Sequence, residues 1–114
     1  MLKPTDIMDE VRLVLVAASP GKGDQPHYMT AYQILGRLNE IRRQMTEERG
    51  GGVGAGAGVY YSAASVVEQA CQMLVKRGEA ELTYMATEGL WFDVDGQPPV
   101  RAGNSVCGLY RLRQ

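Results

Sequence analysis

The sequence predicts a single α+β domain, residues 1-114, in which three helices precede a small antiparallel β-sheet, and three observations predict it. Apolar residues recur at helical spacing in three segments before Gly78, two of those segments open on a capping box, and beyond Gly78 the period changes from 3.6 to 2. A chain of 114 residues with 45% hydrophobic content can build one core without covalent staples.

The first helix begins at Thr5 or Asp6, either of which can cap it. Asp6, Asp9 and Glu10 favour the positive end of its dipole, and Ile7, Val11, Val14, Leu15 and Ala18 share a face. Ser19-Pro20-Gly21 stops it, and the polar segment from Gly21 to His27 is a surface connection. The second helix has the clearest start signal. Thr30 and Gln33 form a capping box, Met29 and Ile34 stand at the positions of a hydrophobic staple, and Ile34, Leu35, Leu38, Ile41 and Met45 continue one apolar stripe. It is expected to run from Ala31 to about Glu48, with a kink or a division into two helices where Gly36 and Asn39 weaken it.

Residues 50 to 58 hold six glycines, so a mobile connector is expected there. Gly50, Gly52 and Ala55 satisfy the loose form GxGxxA of a dinucleotide fingerprint. That motif requires a buried strand leading into the glycines, whereas the charged helix end Thr46-Glu47-Glu48-Arg49 precedes them. No cofactor is expected. The third helix opens at Ser62 or Ser65, where Ser65 and Glu68 are spaced as a second capping box. Val67, Ala70, Cys71 and Leu74 form its apolar stripe, and Lys76, Arg77 and Gly78 suit its C-terminal end.

Past Gly78, Leu82, Tyr84 and Ala86 alternate with Glu81, Thr83 and Met85. A turn at Thr87-Glu88-Gly89 then leads into Leu90 to Val94, which reads as the returning strand of a β-hairpin. Val106 to Leu112 reads as a final strand, with Cys107 and Leu109 on one side and Val106, Tyr110 and Leu112 on the other. Trp91 and Phe92 fall on opposite faces, which leaves one of them outside the main core.

Composition excludes several function classes. Twelve basic and thirteen acidic residues give a formal net charge of −1, which argues against strong nonspecific binding to nucleic acid while leaving room for a local basic patch. Two cysteines outside any CxxC pair and one histidine cannot assemble a structural zinc site, and Cys71 and Cys107 are expected to be buried reduced thiols. The longest apolar run, Val11 to Ala18, is broken by Arg12 and is far shorter than the roughly 20 residues needed to cross a bilayer, so no membrane partner is expected. The start turns acidic after Lys3 with no export signal, which predicts a cytoplasmic protein.

The order helix, helix, helix, hairpin resembles that of the winged-helix superfamily. The passage "AASPGKGDQPHYMTAYQILGRL" is similar to the place where a first helix ends and a Thr-capped second helix begins, and "SVVEQACQMLVKRGEAELTY" is similar to a recognition helix leading through a Lys-Arg-Gly turn into the wing. The likeness covers about Asp6 to Val94, with residues 39 to 61 forming an unusually long insertion. It implies a winged-helix-like fold and a function in binding double-stranded DNA or in transcription regulation. Carried over by position, the exposed face of the recognition-like helix is Ser65, Glu68, Gln69, Gln72 and Lys76, and Arg49, Arg77 and Arg101 stand near the same surface. Glutamine can read an adenine edge, and serine, lysine and arginine can hold phosphates, whereas a glutamate there is repelled by the DNA backbone.

A protein-interaction module, acting as a homodimer or with another protein partner, is the second reading. Near-neutral charge, a surplus aromatic at Trp91 or Phe92, and Tyr28, Tyr60, Tyr61 and Tyr84 suit it. An enzyme is not expected. Asp93 with Asp95, Asp6 with Asp9 or Glu10, and the lone His27 lack neighbours that would tune them for catalysis, and no serine sits in a nucleophile elbow.

Overall fold

A computed structural model of the chain describes residues 3–18, 27–48, 63–92 and 105–113. A 3₁₀ turn over Pro4–Asp6 leads into α1 (Met8–Ala17), the short strand β1 (Met29–Thr30), α2 (Ala31–Arg37), α3 (Asn39–Glu48), α4 (Ala63–Lys76), β2 (Ala80–Ala86) and β3 (Val106–Leu112). The result is an α+β fold whose three-stranded antiparallel sheet has the order β1-β3-β2. The glycine run at residues 50–58 and the arginines at positions 49 and 101 lie outside the described residues.

The chain turns into α1 through a local bond, the Lys3 N–H donating to Asp6 Oδ2 at 2.8 Å. Ile7, Val11, Val14 and Leu15 are buried on the face that their spacing predicts, and Met8 joins them. The capping box before α2 forms as expected: Gln33 N–H donates to Thr30 Oγ1 at 3.1 Å, and Thr30 N–H donates to Gln33 Oε1 at 2.8 Å. Met29 and Ile34, the staple pair, are both buried. The long second helix divides at Leu38, whose φ of −100° and ψ of 63° leave the helical region while its side chain stays buried. Thr30 has a second role that two residues cannot advertise by periodicity, since Met29 and Thr30 also pair with Tyr110 and Leu109 of β3.

The third predicted helix, α4, starts at Ala63, so of the two serines proposed to open it Ser65 lies inside its first turn. Ala63 and Ala64 are buried apolar residues of high helix propensity, and they extend the helix toward its N-terminus. Its C-terminus closes as a Schellman motif: Gly78 N–H donates to the Val75 carbonyl and Glu79 N–H to the Leu74 carbonyl, each at 3.0 Å, with Gly78 at φ +76°. The following Glu79 receives Arg12 of α1 in a two-pronged ion pair, Nε to Oε1 at 3.0 Å and Nη2 to Oε2 at 3.2 Å, which ties α1 to the turn between α4 and β2.

The hairpin partner differs from the expected one. β2 pairs along its length with β3, from Ala80↔Leu112 to Ala86↔Val106, and the last two residues of the expected returning strand lie outside the described residues. The turn after β2 is where it was placed, with Leu90 N–H donating to the Thr87 carbonyl at 3.0 Å and Gly89 at φ +74°. Leu90 and Trp91 then leave the sheet, and Phe92 makes only an isolated bridge. Its ring stacks on Tyr32 of α2 at a centroid distance of 4.5 Å, while Trp91 is 60% exposed. One of the two aromatics is thus buried against α2 and the other is left on the surface.

The core lies between the helices and the sheet. Val67, Ala70, Cys71 and Leu74 of α4 meet Val11 and Leu15 of α1, Ile34 and Leu35 of α2, and Tyr110 of β3, all of them buried.

Candidate functional site

In α4, Ser65, Gln69, Gln72 and Lys76 follow at spacings of four, three and four, which places them on one stripe opposite the buried stripe of Val67, Ala70, Cys71 and Leu74. Gln69, Gln72 and Lys76 are exposed, as is Arg77 just beyond the helix, and Ser65 is half-buried. The structure therefore places four of the six sequence-selected residues on one stripe of α4, with Arg77 just past its end; the sixth, at position 101, is outside the described residues. Ser65 is engaged within the helix, its Oγ accepting from Gln69 Nε2 at 3.4 Å.

Glu68 does not join this stripe. It is half-buried, and its Oε1 accepts the Tyr110 hydroxyl at 3.4 Å. Tyr110 is fully buried and needs a partner for its hydroxyl, which Glu68 supplies across the junction of α4 and β3. Burial pushes the Tyr110 phenol upward from its ordinary range, with the Glu68 charge acting in the same direction. The Gln72 side chain beside the hydroxyl opposes the shift. Burial and then Glu68 likewise push the Cys71 thiol up to about 12 and raise that of Cys107, so both remain protonated thiols near neutral pH. Both cysteines are free.

Two of the arginines on the sheet side are already occupied. Arg111 Nε donates to Glu81 Oε2 at 2.7 Å and its guanidinium lies 4.6 Å from the centre of the Tyr28 ring, and Arg12 is shared between Glu79 and Asp9. Lys76, Arg77 and Arg113 make no ion pair among the described residues, and they lie near the C-terminal end of α4, where Arg113 Nη1 would stand 3.6 Å from a Cβ on Gly78. Sequence reasoning missed Arg113. Its place beside Gly78 follows from β3 returning antiparallel to β2, which could be seen only once the hairpin partner was known.

A concave region of about 440 Å³ lies beside the end of α1, lined by Ala17, Ala18, His27, Tyr28, Met29, Gln33 and Arg37. Among the described residues its walls offer one imidazole and one guanidinium, with neither a carboxylate nor a nucleophile. Among the described residues no group of three or more His, Cys, Asp or Glu could hold a metal ion, and no helix is long and apolar enough to cross a membrane. No protein-family model, no curated protein and no solved structure matches the chain.

Proposed function

We propose that the chain is a winged-helix-like module that binds double-stranded DNA in a transcription-related role, with α4 entering the major groove. The observation that carries this reading is the acid-free exposed stripe of α4. The Glu68 carboxylate is drawn to Tyr110, leaving Gln69, Gln72 and Lys76 in line, with Arg77 and Arg113, which make no ion pair among the described residues, near the C-terminal end of α4. Side-chain amides can pair with adenine in the groove while cations at one end of the helix rest against phosphates. The order of elements supports it as well, since helices precede a hairpin that follows α4 directly, as the resemblance implies. The charge balance of −1 implies that affinity comes from this local surface and that binding to random DNA is weak.

Titration of labelled duplexes over a series of salt concentrations tests the proposal. A linear fall of log affinity with log salt, together with a preferred sequence, supports it. No binding at low salt would sink it.

A protein-interaction module without nucleic-acid binding is the second reading. It is favoured by the apolar residues left in water, Leu13 at 66% and Val16 at 50% exposure on one side of α1 and Trp91 beyond the hairpin turn. Retention of a protein partner by a chain that ignores DNA would favour it over the first.

A further inference from the structure

We propose that the outer edge of β2 is a homodimerisation edge, on which β2 of a second copy pairs antiparallel about a twofold axis at Thr83. The phase of the hairpin shows which backbone groups are available. Thr87 N–H donates to the Ser105 carbonyl and Arg113 N–H to the Glu79 carbonyl, each at 3.0 Å, so the odd-numbered residues of β2 are the ones bonded to β3. The N–H and C=O groups of Ala80, Leu82, Tyr84 and Ala86 therefore point away from β3. Among the described residues no strand lies along that side, since β2 is the end of the order β1-β3-β2.

Natural edges are normally blunted by lysine, proline, a bulge or an unpaired charge. β2 has none of these. Its one charged residue, Glu81, is neutralised by Arg111 at 2.7 Å, and its central residues Thr83 and Tyr84 are exposed, Tyr84 by 65%. The strand is also complementary to itself. Pairing about Thr83 sets Leu82 against the second copy's Tyr84, Glu81 against its Met85 and Ala80 against its Ala86, so that no like charges oppose each other. Leu82 and Tyr84 then fall at the hydrogen-bonded positions that the outward groups require, and the two Thr83 residues face each other at a non-hydrogen-bonded position. This inference does not depend on the DNA-binding reading.

Sedimentation equilibrium of the full chain over a dilution series, with Thr83→Cys cross-linking under mild oxidation, tests it. Facing residues at a non-hydrogen-bonded pair stand about 4.5 Å apart between Cα atoms, within the range that a disulfide spans. The expected result is a reversible dimer, and a Thr83→Cys disulfide that forms at least about tenfold faster than one at the exposed control site Thr5→Cys, because only the former is held in register. Tyr84→Pro removes an outward N–H without breaking a β2·β3 bond, and Thr83→Lys sets two like charges across the axis. Each should raise the dimer dissociation constant by about tenfold or more. Thr83→Lys leaves every backbone hydrogen bond intact and serves if the proline variant fails to fold. A wild-type chain that stays monomeric at the highest concentration, a dimer unaffected by Thr83→Lys, or equal cross-linking at both sites would each overturn the proposal.

Discussion

The Tyr110 hydroxyl donates to Glu68 at 3.4 Å, and it can do so because Gly108, two residues earlier on the same face of β3, has no side chain: a Cβ there would stand 2.8 Å from that hydroxyl oxygen. The phenol ring lies back over the glycine, and the hydroxyl reaches α4. One bare backbone position thus sets how the hairpin sits against the helix that presents Gln69 and Lys76.

Gly108→Ala should therefore destabilise the fold by about 1–3 kcal/mol, the usual range for overpacking, because its Cβ also meets Tyr110 Cζ at 3.0 Å and Leu82 Cδ1 at 3.1 Å. Tyr110→Phe should relieve the closest of these contacts, so the double variant should lose less than the sum of the two single losses. Urea denaturation of the four proteins in the cycle measures this, and strict additivity would mean that the ring does not lie over Gly108.

Leu74 is fully buried between α4 and the remaining core. Cutting it back to alanine should cost roughly 2–5 kcal/mol, from lost transfer energy and the cavity left behind. A loss below about 1 kcal/mol would mean that the faces of α4 are reversed, and with them the exposed stripe.

Much of this arrangement was legible in the residues themselves. Thr30 with Gln33 marks the start of α2, Gly78 marks the end of α4, and the spacing of Val67, Ala70, Cys71 and Leu74 places the polar stripe on the opposite side, all through interactions within a few residues. The strand pairing was not legible. Leu90 to Val94 and Val106 to Leu112 have similar strand character, and the nearer segment follows a proper turn. The choice is made by contacts distant in sequence: Phe92 on Tyr32, and Tyr110 under Glu68. The same holds within the site. Glu68 reads as a repulsive charge on the recognition-like face until β3 is in place to take it away, and Arg113 has no address until the register is known.

Cys71 makes stability depend on pH in the alkaline range. Burial raises its thiol to about 12 in the folded chain, above the value near 9 of an exposed thiol. Below pH 9 both states hold the proton and the contribution is complete. As pH rises further, the unfolded chain loses the proton while the native chain keeps it, so unfolding is favoured by on the order of 1.4 kcal/mol per pH unit until the folded thiol also ionises. Denaturation at pH 8 to 11 should show wild type losing stability more steeply than Cys71→Ala, which has no proton to release there; parallel curves would refute the assignment. Cys71 should also resist alkylation in the native state at pH 8 and react once unfolded.

The α4 surface gives the last prediction. If the helix lies in a major groove, Gln69→Ala should weaken binding to the preferred duplex by about 1–3 kcal/mol and barely affect random duplex, because only contacts to base edges discriminate sequence. Gln72→Ala should do the same and also disturb Tyr110, so its stability must be measured alongside its affinity. The cations should behave differently: Lys76→Ala or Arg77→Ala should weaken binding to all duplexes alike and reduce the slope of log affinity against log salt by about one, since one fewer counterion is released. Glu68→Gln separates the two readings most cleanly. Glutamine can still accept the Tyr110 hydroxyl, so the fold is kept, and a negative charge on the same helix, one turn from Gln72, is removed. If DNA lies along α4, affinity for every duplex should rise, and the gain should shrink as salt screens it over a Debye length of about 10 Å at 0.1 M. A Glu68→Gln protein that binds DNA no better at low salt, with Gln69→Ala equally without effect, would leave α4 as a solvated helix and favour the interaction module.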